Sequence, residues 1–309
     1  MSYSARMQKN HLYSVLLSPR GMPRLADQGV QIAQQYLSPF DLLIGLIGDS
    51  GSGKSILIKG MFPGLELTND DEGVNVRPLP IMNLDDTGFF SPHTYHVDVR
   101  FETAFYQMHE LASAINEALD RKKRVIVEHF DLVYPYLGRN ANLLLGLGEE
   151  IIVTRPNIFG PEPDHIKKIV YKSIPFRRMT HTAEDLVAYA LRDYQVYRYE
   201  HAEVRHGFIL AFDEEPEIDL REVETRVKDM IAADIPVSYL DDSHIMLGDQ
   251  IHFCTGPRMH VERTGEIENF QLYHEFIREQ ITGRYMMVGL VAVDNEFKLS
   301  ELNQLTLPG

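Results

Sequence analysis

Residues 43–58 of this chain read LIGLIGDSGSGKSILI. An apolar run is followed by the pattern G-x-x-x-x-G-K-S and then by apolar residues at helical spacing. This order predicts a buried strand, a glycine-rich turn and a helix, which is the setting of a phosphate-binding loop. The glycines of the turn can adopt backbone angles that side chains forbid, so several N–H groups can point at one polyphosphate.

The same segment supplies the candidate nucleotide-binding residues, which are Gly48, Asp49, Ser50, Gly51, Ser52, Gly53, Lys54 and Ser55. Lys54 is expected to place its charge on the β- and γ-phosphates, and the Ser55 hydroxyl is expected to bind Mg²⁺. The helix that follows adds the positive end of its dipole. Because the sequence contains no N-K-x-D motif for guanine, ATP with Mg²⁺ is the expected ligand.

The composition indicates a globular protein of two domains. The chain has 309 residues, of which 44% are hydrophobic, and its net charge of −15 argues against broad nucleic-acid binding. The single cysteine, Cys254, excludes an internal disulfide framework and fits a reducing compartment. No apolar run approaches the ~20 residues of a membrane span, and residues 1–10 lack the apolar core of a signal peptide. We therefore expect a cytoplasmic protein without a membrane partner.

Strands alternate with helices through the first half of the chain, which predicts a parallel α/β sheet with helices on both faces. The predicted strands span residues 42–47, 76–84, 124–128 and 150–154, and the predicted helices span residues 25–37, 54–60 and 101–121. A stretch with several prolines and a glycine between residues 155 and 175 indicates the end of this first domain, which we place at residue 172.

The second predicted domain, residues 173–309, has the mixed pattern of an α+β fold. The predicted helices span residues 183–194, 220–233 and 272–279, and the predicted strands span residues 207–212, several segments up to residue 270, and residues 285–293. The sequence shows no internal repeat and no low-complexity tract that would alter this division.

Three segments of the first domain carry a resemblance to a known family. They are residues 48–55 (GDSGSGKS), 83–90 (NLDDTGFF) and 125–128 (VIVE). Together they resemble the uridine kinase and phosphoribulokinase group of P-loop kinases over about residues 40–155. The resemblance implies an α/β P-loop NTPase fold and ATP-dependent phosphoryl transfer, with Lys54, Asp86 and Glu128 as the catalytic residues.

The two carboxylates have different expected roles. In this family an acid after the second strand faces the substrate hydroxyl, and the resemblance assigns that role to Asp86, with Asp85 as the second choice. Glu128, at the carboxyl end of a strand, would hold Mg²⁺ through water. Plainer interpretations stay open: Asp85 and Asp86 only cap the next segment, and Glu128 is a solvated strand end. Residues 93–98 hold two histidines and an aspartate that are further candidates for contact with the acceptor.

Four ordered segments of the second domain carry a second resemblance. They are residues 179–192 (MTHTAEDLVAYALR), 208–213, 220–224 and 247–270 (LGDQIHFCTGPRMHVERTGEIENF). Over about residues 176–275 they resemble the second additional domain of alanyl- and threonyl-tRNA synthetases, which also occurs in free-standing alanyl-tRNA editing proteins. The resemblance implies an α+β domain of that type, with a tRNA end or an aminoacyl group as the partner.

In that family the motifs H-x-x-x-H and C-x-x-x-H hold a zinc ion. Carried over residue by residue, the Zn²⁺ ligands would be His181, Asp185, Cys254 and His260. Asp185 stands where the family has histidine, and two extra residues separate Cys254 from His260. Since positions i and i+4 of a helix face the same way and all these side chains can bind zinc, the site can survive with altered geometry. It can equally be a relic whose side chains hydrogen-bond to one another, or His201 or His206 can replace a lost ligand.

Three functional hypotheses follow from these patterns. The first is an ATP-dependent phosphotransferase whose second domain recognises an aminoacyl, amino-acid or RNA-end ligand. The second is a metal-dependent trans-editing hydrolase of aminoacyl-tRNA, with the nucleotide-binding domain as a regulator. The third is a non-catalytic, nucleotide-gated binding module. The sequence names neither the phosphoryl acceptor nor the oligomeric state, and a fold-level resemblance does not decide among the three.

Overall fold

The computed structural model of the chain describes residues 12–68, 79–82, 84, 93–254, 256, 259–293 and 298–303. The contacts divide these residues into two compact units. The first contains residues 12–16 and 25–172, and the second contains residues 17–24 and 173–303. Residues 17–24 thus group with the second unit, although their place in the sequence puts them in the first predicted domain.

The first unit is built on a mixed sheet that is mostly parallel. Its strands are Tyr13–Leu17 (β1), Leu43–Gly48 (β2), Thr94–Asp98 (β3), Arg124–Glu128 (β4), Leu143–Leu147 (β5) and Glu150–Thr154 (β6). They lie in the order β1-β6-β5-β2-β4-β3. The pairs β3–β4, β4–β2 and β2–β5 are parallel, whereas β6 runs antiparallel to β5. The three predicted strands at β2, β4 and β6 are confirmed, and the antiparallel β6 departs from the expected parallel sheet.

Helices flank this sheet. They are Met22–Tyr36 (α1), Lys54–Met61 (α2), the single turn Val99–Glu102 (α3), Met108–Asp120 (α4), Phe130–Leu137 (α5) and the first part of Pro163–Leu191 (α6). The strand residues divide between two apolar cores. Ile44 and Leu46 belong to the core that contains residues of α1 and α2, whereas Leu43 and Ile47 belong to the core that contains residues of α4 and α5. Burial on both faces explains why β2 reads as a continuous apolar run rather than an alternating one.

Two predictions for the first unit fail at particular residues. Within the predicted strand 76–84, Pro80–Met82 form a 3₁₀ turn, and residues 76–78 and 83 lie outside the described part of the chain. Proline lacks the N–H that a sheet requires, which favours the turn. The predicted helix 101–121 is two helices, α3 and α4. Each has its own start signal, since Asp98 caps α3 and the Gln107 N–H donates to the Glu110 carboxylate at α4.

The second unit is an α+β arrangement of two antiparallel sheets with helices. Its strands are Glu200–Val204 (β7), Gly207–Phe212 (β8), Val237–Asp241 (β9), His244–Leu247 (β10), Gln250–Phe253 (β11), Gln271–Leu272 (β12), Ile277–Arg278 (β13) and Tyr285–Leu290 (β14). One sheet has the order β12-β14-β8-β7, with β13 also paired to β14, and the other has the order β11-β10-β9. The rest of α6 and the helix Leu220–Ala232 (α7) pack in the same apolar core.

The structure corrects one helix prediction in this unit and extends another. The predicted helix 272–279 is instead occupied by β12 and β13, because Ile277 and Arg278 pair with Met286 and Tyr285 of β14. Pairing between distant segments overrides a weak local helical pattern there. The predicted helix 183–194 is the end of the long α6, which contains the boundary between the units. None of the helices in the described ranges combines the length and apolar content needed to cross a bilayer.

Close packing of α1 on α2 makes a prediction possible. A methyl group added at Gly60 would overlap the carbonyl oxygen of Ala26 on α1. Although alanine is the better helix former, we expect Gly60→Ala to lower the free energy of unfolding by about 1–3 kcal/mol, because neighbouring backbone cannot yield easily. Urea denaturation checks this. Gln34→Ala, at an exposed position of α1, should change stability by less than about 0.5 kcal/mol; equal effects of the two changes would contradict the steric argument.

Candidate functional site

The glycine-rich turn of residues 48–53 joins β2 to α2 in the first unit. Gly51 and Gly53 have φ angles of 74° and 91°, in the left-handed region that favours glycine. A Cβ atom at Gly48 would lie 2.9 Å from both the Leu147 carbonyl oxygen and the Ser52 hydroxyl. The glycines of the motif are therefore required by the backbone path and by the space around it.

Lys54 begins α2 and turns its amine back toward the turn. Its side chain is 4% exposed, and Nζ donates to the carbonyl oxygens of Gly48 at 3.3 Å and Asp49 at 2.8 Å. The amine also lies 3.8 Å from Oε2 of Glu128. Burial lowers the pKa of Lys54, and the charge of Glu128 opposes that effect. A positive charge is thus held beside the turn by groups that an anion can replace.

Glu128 ends β4 and is a buried carboxylate, not a solvated strand end. Its Oε1 accepts from the Ser55 hydroxyl at 2.9 Å. His96 Nδ1 accepts from the Thr68 N–H at 3.1 Å, so the ring proton sits on Nε2, which donates to Glu128 Oε1 at 3.2 Å. Burial would raise the pKa of Glu128, but the hydrogen bond from His96, the charge of Lys54 and the hydrogen bond from Ser55 hold that pKa below its usual value.

Two neighbouring groups join Glu128 at this edge of the sheet. Side-chain ligand atoms of Asp98, Glu128 and His129 all lie within 4.8 Å of one another, and all three residues are buried. Asp98 ends β3, so the two carboxylates come from the carboxyl ends of adjacent parallel strands. Carboxylate and hydroxyl oxygens are the ligands that Mg²⁺ prefers, so Asp98, Glu128 and Ser55 fit such an ion. Burial and the charge of Lys54 lower the pKa of His129, which favours its neutral form.

The sequence reasoning passed over His129 and Arg100. Arg100 is exposed and follows Asp98 by two residues. Burial is the main cause of the lowered pKa values of Lys54 and His129, and the charge of Arg100 acts in the same direction on both. The available signal was a polar cluster directly after each of two strands, a pattern typical of ligand sites in open α/β sheets. Asp85 and Asp86, predicted to face the acceptor, lie outside the described residues.

The predicted metal site of the second unit contains an arginine that the sequence reasoning did not include. Arg20 Nη1 lies 2.8 Å from Oε2 of Glu184, and its Nη2 contacts Oδ1 of Asp185. The same Nη2 lies 3.4 Å from Sγ of Cys254. We call Arg20, Glu184, Asp185, Cys254 and His260 the Arg20 cluster; all but His260 are buried.

Two histidines complete the hydrogen bonding of Asp185. His260 Nε2 donates to Oδ2 at 2.8 Å and lies 3.5 Å from Cys254 Sγ. Arg192 lies 2.9 Å from Nδ1 of His252, and since arginine can only donate, His252 carries its proton on Nε2, 3.3 Å from Oδ1. Burial would raise the pKa of Asp185, but Arg20 and the two histidines hold it well below its usual value. Asp185 is therefore ionised and fully surrounded by donors.

The ring nitrogens of His181, His201 and His206 are not among the candidate ligand atoms that Asp185, Cys254 and His260 bring together. His181 is buried, its carbonyl oxygen accepts from Arg20 Nη1 at 3.1 Å, and its Nδ1 has no hydrogen-bond partner within the described ranges. Burial and the charges of Arg177 and Arg20 hold the pKa of His181 well below its usual value. His201 contacts Glu184, and His206 stacks on Phe176 with ring centroids 4.0 Å apart. Neither is placed to replace a zinc ligand.

Zinc does not fit the Arg20 cluster as it is arranged. Asp185, Cys254 and His260 are competent donors, and their ligand atoms lie within 4.8 Å of one another. However, a guanidinium group already contacts two of the three. Burial lowers the pKa of His260, but hydrogen bonds to Asp185 and Cys254 raise it to about 9, so the ring donates a proton where a ligand must offer a lone pair. The side chains instead hydrogen-bond to one another, which is the arrangement expected of a relic site.

No protein-family model matches this chain, and no curated protein sequence matches it either. The resemblances to P-loop kinases and to synthetase editing domains therefore stay predictions. Function has to be argued from the side chains that each unit brings together.

The buried position of Glu128 predicts a pH-dependent contribution to stability. A carboxyl whose pKa is lowered by folding stabilises the protein above its unfolded pKa, and this contribution is lost as the pH falls through the folded value. We expect Glu128→Gln to be less stable than the wild type by on the order of 1 kcal/mol at pH 7, with the difference shrinking toward pH 3. Denaturation with urea at several pH values measures it.

The matched control for this experiment is Glu117→Gln. Glu117 forms an exposed ion pair with Arg121 on α4, where such pairs contribute little. Its effect should stay within about 0.5 kcal/mol at every pH. If the difference between the wild type and Glu128→Gln were the same at pH 3 and pH 7, the carboxylate would not be stabilised by its neighbours as described.

Proposed function

We propose that the first unit binds ATP with Mg²⁺ and transfers the γ-phosphoryl group to an acceptor hydroxyl, as a phosphotransferase of the P-loop kinase type. The observation that carries this proposal is the convergence of three groups beside the glycine-rich turn. The Ser55 hydroxyl lies within hydrogen-bonding distance of the Glu128 carboxylate, and the Lys54 amine lies within ion-pair distance of it. These are the charge and the oxygen ligands that a nucleoside triphosphate with its metal requires.

Phosphate binding in this proposal exchanges the partners of Lys54. The amine now donates to the carbonyl oxygens of Gly48 and Asp49. Phosphate oxygens would take the place of these carbonyls, and the backbone N–H groups of the turn would donate to the same oxygens. Because Lys54 is buried, its interaction with a phosphate is weakly screened by water, which strengthens it.

Ser55 and Glu128 would hold the magnesium ion, and Asp98 is the further carboxylate within reach of the same position. When bound, Mg²⁺ neutralises the charge that develops on the phosphate oxygens. His96 orients Glu128 by donating from Nε2, and it keeps one carboxylate oxygen fixed while the other faces Lys54. Arg100 offers an exposed positive charge for the transferred group.

The proposed reaction needs a carboxylate near the γ-phosphate to take the proton from the acceptor hydroxyl. Asp86 remains our proposed base for the acceptor hydroxyl, and Asp98 is the carboxylate of the described residues that could take that role. The class of acceptor, whether nucleoside, sugar or RNA end, is decided by testing each. We do not propose a metal-dependent editing reaction for the second unit, because Arg20 lies among the residues that would bind the metal.

Substitution of Lys54 tests phosphate binding, and substitution of Ser55 tests Mg²⁺ binding. We expect Lys54→Ala to weaken binding of ATP about 10- to 100-fold, because it removes charge-assisted hydrogen bonds to phosphate. Ser55→Ala should mainly reduce the gain in affinity that Mg²⁺ gives. Isothermal titration with ATP in the presence of Mg²⁺ or EDTA measures both, and release of ADP with nucleoside, sugar and RNA acceptors measures turnover.

Lys59→Ala is the control, since Lys59 is an exposed lysine on the same helix. It should leave the affinity for ATP within about twofold of the wild type. Equal affinities of the Lys54→Ala variant and the wild type would refute nucleotide binding at the turn. Tight binding without turnover on any acceptor would refute the phosphotransferase and leave a nucleotide-gated binding module.

A further inference from the structure

Backbone hydrogen bonds of the segment around Arg20 hold this residue in place in the second unit. The Gly21 N–H donates to the Gly256 carbonyl oxygen at 2.7 Å, and the Arg20 N–H donates to Glu203 Oε1 at 2.9 Å. The other oxygen of Glu203 lies 2.6 Å from Nη2 of Arg24. The segment is therefore attached to the second unit on both sides of the guanidinium group.

The guanidinium group contacts atoms that would otherwise bind a metal ion. Its Nη2 contacts Oδ1 of Asp185 and lies 3.4 Å from Sγ of Cys254, while His260 completes the group on the other oxygen of Asp185. Its Nη1 pairs with Glu184 at 2.8 Å. The side chains of Arg20, Glu184 and Asp185 are at most 8% exposed, so water hydrates these charges only weakly.

We propose that the Arg20 guanidinium is a built-in replacement for a divalent cation in the second unit. It supplies permanently the positive charge that Asp185, Cys254 and His260 would otherwise take from a thiophilic metal such as zinc. The second unit is then metal-independent as it exists, and removing Arg20 converts the cluster into a metal site. This inference concerns the second unit alone and does not rest on the function proposed for the first.

Arginine keeps its positive charge, so the guanidinium group and a metal ion cannot occupy this position together. Guanidinium stays protonated at any pH that proteins tolerate, so it cannot become a ligand itself. A divalent cation at the same place would be repelled by it and would have to break its ion pairs with Glu184 and Asp185. Guanidinium and metal are therefore alternatives at this position.

The experiment compares cobalt and zinc binding in the wild type and in Arg20→Met. Methionine fills similar space without charge. Binding of Co²⁺ by Cys254 produces a thiolate-to-metal absorption band, which a titration detects without any activity assay. We expect no such band in the wild type and a thermal midpoint unchanged by EDTA. Arg20→Met should bind one Co²⁺ per chain through the thiol, on the order of 100-fold more tightly than the wild type, and should be stabilised by zinc and destabilised by EDTA.

Two further variants test whether Cys254 binds the cobalt and whether the loss of Arg20 in particular allows it to bind. Adding Cys254→Ser to Arg20→Met should abolish the band. Arg24→Met removes a neighbouring arginine that pairs with Glu203 outside the cluster, and it should bind no cobalt through the thiol. Stoichiometric cobalt binding by the wild type, with a band lost in Cys254→Ser, would overturn the proposal. It would equally be overturned if zinc gave Arg20→Met no stability and cobalt gave no band, whether or not that variant folds in EDTA.

Discussion

Glu128 and Asp185 are each 2% exposed, and a carboxylate so far removed from water requires positive charge and hydrogen-bond donors around it. Both units are organised by this requirement. Around Glu128 the charge comes from Lys54 at the start of α2, and the donors come from Ser55 and His96. Around Asp185 the charge comes from Arg20, and the donors come from His252 and His260.

The surroundings of Glu128 and of Asp185 differ in whether a ligand could replace the groups that contact the carboxylate. Lys54 and Ser55 sit at the start of α2, and the Lys54 amine donates to the carbonyl oxygens of Gly48 and Asp49, which phosphate would replace in the function proposed above. The surroundings of Glu128 therefore suit a ligand that enters and leaves. Arg20 is enclosed by two carboxylates and a thiol, with no partner that a ligand could readily replace. The surroundings of Asp185 suit a permanent structural contact.

The sequence predicted best where several signals coincide in a short segment. At residues 43–58 an apolar run, a glycine pattern and helical spacing agree, and the structure places a strand, a turn and a helix there. The strand ending at Glu128 was equally clear. The helix predicted at residues 272–279 failed because its alternative, pairing with β14, involves residues that are distant in sequence. Local patterns carry no information about such a partner.

The same limit applies to the sites. The resemblance to synthetase editing domains grouped His181, Asp185, Cys254 and His260, and the structure brings ligand atoms of the last three within 4.8 Å of one another. Nothing in residues 17–24 identifies Arg20 as their neighbour, because Asp185 lies 165 residues further along the chain. His96 was recognised only as a candidate for contact with an acceptor. Its actual partner, Glu128, lies on the adjacent strand, and only the sheet order reveals that proximity.

The attachment of residues 17–24 to the second unit has a consequence for how the chain is made. During synthesis Cys254 follows Arg20 by 234 residues. At ~5–20 residues per second this delay is on the order of 10–50 s, during which the guanidinium lacks its thiol partner. The contact between Arg20 and Cys254 therefore forms only after the 234 residues that separate them have been synthesised.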